Sequence, residues 1–78
     1  TVPLIQALHG QADQWRAVEL TRARKLLAKG ENVDTVLDAL THRLTQKMLH
    51  GAYHYINTSD GAEREQHQAT VAKIFLKE

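Results

Sequence analysis

Apolar residues recur at intervals of three and four from the start of the chain: Ile5, Leu8, Ala12 and Trp15, then Val18, Ala23, Leu26 and Leu27. That spacing keeps one face of a helix apolar. Pro3 suits a first helical turn, where its missing N–H costs nothing, and Thr1 stands where a cap belongs. Gly30, after Lys29, supplies the left-handed residue that commonly ends a helix. The pattern predicts a first helix over 3–29, roughly 40 Å long at about 1.5 Å per residue. A second stripe, Val33, Val36, Leu37, Leu40, Leu44 and Met48, follows Asn32 as cap and predicts a helix over 33–50 that Gly51 stops. Asp34 and Asp38 lie toward its positive end, while Arg43, Lys47 and His50 crowd its last turns, where cations meet the negative end of the macrodipole. Residues 52–58 show no helical period and read as a loop. Ser59 or Asp60 then caps a third helix over 60–76. Glu63 stands in capping-box spacing from Asp60, and Val71, Ile74 and Phe75 form an apolar patch near the end.

One proline and four glycines among 78 residues leave long stretches of Ala, Leu, Gln, Glu, Lys and Arg. These residues lose little side-chain freedom in a helix, so the chain reads as all-α. Its length suits one small helical domain over 1–78 or a fragment of something larger, and a core of that size is marginal by itself. A formal charge of +1 selects neither DNA nor an anionic membrane, and no apolar run approaches the length of a membrane span. The absence of cysteine removes disulfides, thiolate metal sites and thiol nucleophiles, and fits a reducing, cytoplasmic setting. The sequon at Asn57-Thr58-Ser59 is too short a match to carry weight.

Candidate chemistry is thin. His50 and His54 have the i, i+4 spacing with which two imidazoles on one helix hold zinc, but a helix ending at Gly51 turns His54 away, and a third ligand is lacking. His9, His42 and His67 are single histidines on helix faces. Ser59, the one serine, is placed to cap rather than to attack. No glycine-rich loop follows a strand. No catalytic, cofactor-binding or metal-binding residue is therefore assigned. The basic cluster "RARK" at 22–25 spreads round its helix and reads as a solvated face, with RNA phosphate contact as the minority reading. Arg16, Glu19 and Arg22 continue the stripe of the first helix at spacings of three. Two readings stand for them: surface ion pairs worth well under about 1 kcal/mol each, which is preferred, or a polar layer that fixes register in a helix–helix seam.

Three ordered pieces carry a resemblance: Val2-Pro3-x-Ile5-x-x-Leu8, then Arg16-x-x-Glu19-Leu20-x-Arg22-Ala23, then Leu37-x-x-Leu40-Thr41-x-x-Leu44-x-x-Lys47-x-Leu49-His50. Together they resemble the C-terminal dimerisation domain of glutamyl-tRNA reductase, over residues 2–50 and more loosely beyond. Gly51-Ala52 departs from the family pattern, which usually has proline two residues after the histidine. The resemblance implies a parent enzyme that reduces the glutamyl group on tRNA to glutamate-1-semialdehyde with NADPH, the first committed step of tetrapyrrole (porphyrin) synthesis. It also implies that the nucleophile and the NADPH site lie elsewhere in that enzyme. Lys47 and His50 then mark the family and finish a helix.

A two-fold homodimer, assembled as a helical bundle, is expected. A first helix that outruns the second by about nine residues, or roughly 13 Å, leaves part of its stripe for another copy to cover. The expected interface is Ile5, Leu8, Ala12, Trp15, Glu19, Arg22, Leu40 and Leu44. The partners are the chain itself and, for the parent, glutamyl-tRNA. An unrelated three-helix adaptor that takes a partner's helix in an apolar groove is the alternative, and a nucleic-acid module stands third.

Overall fold

The computed structural model describes residues 2–76. They form three α-helices: α1 (Val2–Ala28), α2 (Val33–Asn57) and α3 (Gly61–Phe75), with no strand among the described residues. The expected cap at Thr1 lies outside them. No described helix is long and apolar enough to cross a membrane.

The turn between α1 and α2 follows from local chemistry. Gly30 takes φ +89°, and two bonds close around it: its N–H donates to Leu27 O at 3.0 Å, and the Glu31 N–H donates to Leu26 O at 3.1 Å. This is the Schellman arrangement, which satisfies carbonyls that a helix end would leave orphaned. Two residues later Asn32 Oδ1 accepts the Thr35 N–H at 3.1 Å and caps α2.

The end of α2 differs from the sequence expectation. Gly51 is helical rather than left-handed, and α2 continues to Asn57, through most of the stretch expected as a loop. Leu49, Ala52 and Ile56, spaced by three and four, are half-buried along that extension. Tyr53, His54 and Tyr55 obscure this period in the sequence. Thr58 and Ser59 terminate the helix, with Thr58 Oγ1 donating to His54 O and Ser59 Oγ to Ile56 O, each at 2.8 Å. Asp60 is the extended N-cap of α3, but its side chain makes no capping bond, so the expected capping box does not form. The α3 bounds differ from the expected 60–76 by one residue at each end.

The chain divides into two compact units, residues 1–47 and 48–78. In the first, α1 packs on the first half of α2 around Ala23 and Val36, the buried hydrophobic residues of the described chain. Leu26, Ala39 and Leu40 close round them, leaving a gap of about 10 Å³. In the second, the His67 ring stacks on Tyr55 with centroids 3.8 Å apart, and His67 Nδ1 lies 3.2 Å from Tyr55 O. Ser59 is the buried residue there, and no hydrophobic side chain is buried with it among the described residues.

The two conformations of glycine generate opposite stability predictions. Gly30→Ala should destabilise by about 1–2 kcal/mol, because a Cβ is strained at positive φ. Gly51→Ala should stabilise by about 0.5–1 kcal/mol, because alanine favours a helix interior and open space surrounds the added methyl. Urea unfolding of both variants checks this; a destabilised Gly51→Ala would contradict a continuous α2.

Candidate functional site

The most constrained side chain in the molecule is charged. Glu19, in the middle of α1, is fully buried. Arg43 Nε donates to its Oε1 at 2.7 Å, and Lys47 Nζ lies 3.0 Å from Oε2. Lys47 thus pairs with Oε2 by charge at close range. Arg22 Nε, one turn along α1, stands 3.7 Å from Oε1. Arg43 and Lys47 are four residues apart on α2 and therefore share the face that meets α1. All three cations remain partly in water. The cluster thus places one dry carboxylate against three hydrated cations, a local surplus of positive charge.

Two of the sequence readings are corrected by this geometry. Glu19 is not half of a surface ion pair; it is a buried polar link between two helices, and Arg16 is not among its partners. Lys47 does not finish a helix, since α2 runs ten residues further, to Asn57. Its ammonium instead reaches across to Glu19. Arg43 and Lys47 were legible as an i, i+4 pair of cations, but their partner lies on another helix, and no spacing rule connects them to it. His50 and His54 also change standing. With α2 unbroken they share one helix face, their rings 6.4 Å apart and 22° from parallel. Among the described residues no group of three or more His, Cys, Asp and Glu could hold a metal ion.

The remaining expected interface residues fall into two sets. Leu40 and Leu44 are half-buried beside the cluster, as is Trp15. Ile5, Leu8 and Ala12 are exposed; Ile5 retains 54% and Leu8 61% of its full accessibility. Val2 and Leu4 are exposed with them, and no described α1 residue before Trp15 is even half-buried. The reason expected for this bareness does not hold, because α1 and α2 are nearly equal at 27 and 25 residues. The bare apolar run is nevertheless present.

The Lys47 contact lowers the Glu19 carboxyl below its ordinary value; burial opposes the shift, and the Arg43 hydrogen bond adds to it. With the folded value depressed, the unfolded chain takes up the proton first as pH falls. The stabilisation is therefore complete above the ordinary value of 4.5 and is lost as pH drops through the folded value. Glu19→Gln should be less stable than the natural chain at pH 7, and the difference should shrink steadily below about pH 4.5. Denaturant melts of both proteins between pH 7 and 3 check this, and a difference independent of pH would contradict the role of the ionised carboxylate.

Comparison with known proteins adds the family. Residues 1–77 match the family described as glutamyl-tRNAGlu reductase, dimerisation domain. The chain is 60% identical to a glutamyl-tRNA reductase of Albidiferax ferrireducens and 58% identical to one of Polaromonas sp., each over 77 residues, 99% of this chain and 18% of the relative. A glutamyl-tRNA reductase of Acidovorax sp. is 53% identical over 76 residues, 97% of this chain and 17% of the relative. The chain thus spans less than a fifth of the length of these relatives. No solved structure matches it. With a match along nearly all of its length and relatives at this identity, the chain belongs to the glutamyl-tRNA reductase dimerisation-domain family.

Proposed function

We propose that residues 1–78 act as one domain that joins two subunits of a glutamyl-tRNA reductase into a two-fold homodimer and carries no catalytic group itself. The observation that supports this best is the bare run Val2, Leu4, Ile5 and Leu8 on α1, in a chain that buries only Ala23 and Val36 among its described hydrophobic residues. Two buried apolar side chains are far too few to offset the entropy of ordering three helices. Contiguous exposed apolar surface of this kind marks an interface, and the family is described by dimerisation. A second copy is the partner available to every such chain, and a two-fold axis is the commonest way to close the contact.

In this reading Ile5, Leu8, Ala12 and Trp15 form the α1 side of the seam, with Leu40 and Leu44 from α2. Glu19 and Arg22 form a polar layer beside them that fixes how α1 sits on α2. The parent enzyme reduces glutamyl-tRNA with NADPH in tetrapyrrole synthesis, in the cytoplasm. The described residues contain no strand, hence no strand-to-helix glycine loop on which a dinucleotide pyrophosphate rests. In this reading NADPH and the nucleophile belong to other parts of the parent. An adaptor for a foreign helix is the competing reading, and it differs in the mass it predicts.

Light scattering of the full-length parent over a range of concentrations tests the proposal, with a dimer as the expected mass. Leu8→Asp is the cleanest variant, because Leu8 is exposed within its own chain and its replacement removes no buried contact inside one copy. It should weaken dimerisation by about 100-fold or more, since a buried unpaired charge costs several kcal/mol. Trp15→Asp and Leu44→Asp should give a monomer or an unfolded chain. Folded variants with an unchanged dimer mass would place the interface elsewhere, and a monomeric parent would favour the adaptor.

A further inference from the structure

Along one side of α1 runs an open groove with a volume of about 560 Å³. Its floor includes Val18 and Leu26, and its cationic lining is Arg22, Lys25 and Lys29, with no carboxylate among the lining residues. Every ion pair among the described residues goes to Glu19, so Lys25 and Lys29 have no acidic partner there. Arg22 reaches Glu19 only at 3.7 Å, with its side chain 53% exposed. Arg22 and Lys25 share the groove with Lys29, while Arg24 lies outside it.

Lys25 and Lys29 lie apart from the proposed seam, while Arg22 borders both. At about 100° per residue, Lys25, Lys29 and Val18 lie roughly a quarter-turn round α1 from the stripe of Ile5, Leu8, Ala12 and Trp15. A second copy seated on that stripe leaves Lys25 and Lys29 in water. Unpaired lysines in a row one turn apart, over an apolar floor, suit a chain of phosphates with sugar edges between them. The geometry points to a second task for this domain: the groove of Arg22, Lys25 and Lys29 binds the phosphate backbone of the tRNA that the parent enzyme uses. This rests on the reading of the parent as a glutamyl-tRNA reductase. The contact is one of position and affinity rather than of base identity, because lysines on phosphates read no sequence. A two-fold dimer carries two such grooves, one for each subunit.

The test is made on the full-length parent with glutamate-specific tRNA as the probe. Binding is measured across a range of salt concentrations, and KM is measured with the glutamylated form. The double variant Lys25→Gln/Lys29→Gln should reduce the slope of log affinity against log salt by about two, one for each phosphate that a lysine no longer neutralises. Its KM for glutamyl-tRNA should rise, its dimer mass should stay unchanged, and Lys25→Arg/Lys29→Arg should restore the slope. Arg24→Gln, on a different face, should leave the slope where it was. An unchanged slope in the lysine variant, or an equal change in Arg24→Gln, would overturn the groove as an RNA site. A natural parent that fails to reduce glutamyl-tRNA would instead overturn the reading on which the inference rests, so the two failures are distinguishable.

Discussion

The contact of Glu19 with Arg43 and Lys47 is the pivot of the first unit. A carboxylate removed from water is costly unless charge and hydrogen bonds compensate it, and both compensators come from α2. The position of α1 on α2 is therefore held to the register at which both cations reach one residue. Apolar contacts alone would set this register less sharply, because hydrophobic attraction is non-directional. The residues that carry the family resemblance include Glu19 and Arg22 on α1 and Lys47 on α2, which meet at this point. Their shared presence has a physical reason that none of them shows singly.

The same cluster explains why the domain is built for company. Buried ion pairs are often no better for stability than well-packed apolar groups. The first unit buries Glu19 between α1 and α2 and, among the described residues, keeps only Ala23 and Val36 as buried apolar residues. The second unit has none fully buried among the described residues, and relies on half-buried Leu49, Ala52, Ile56, Val71 and the His67–Tyr55 stack. In the proposed dimer, stability and self-association are linked, because covering Ile5 and Leu8 would supply apolar burial that the single copy lacks. Subunit concentration then enters the folding equilibrium, as it does in obligate homodimers.

Most of the helical architecture was legible because its signals are local. Gly30 after a run of helix formers and Asn32 before a new stripe act through bonds to residues at most five positions away. The misread stretch, 52–58, shows where local signals fail. A glycine that stops a helix and one that merely sits inside it are identical in sequence, and what keeps Gly51 helical is the packing of Leu49, Ala52 and Ile56. The buried cluster was half legible. Glu19 and Arg22 stood out because they interrupt an apolar stripe, but Arg43 is 24 residues from Glu19, and helical periodicity carries no information on how two helices are set against each other. Lysines near an apparent helix end already had a sufficient explanation in the macrodipole, and that explanation hid the role of Lys47.

The central claim is that a second copy covers the bare apolar run at the start of α1. Amide hydrogen exchange along α1, followed as the parent enzyme is diluted through its dimer dissociation range, tests it most directly. Self-association predicts that residues 4–15 exchange slowly in the dimer and lose that protection on dilution, while residues 19–26, held by α2 within each copy, retain more of theirs. Protection of residues 4–15 that does not depend on concentration, in a protein that does dissociate, would show that something other than the second copy covers them.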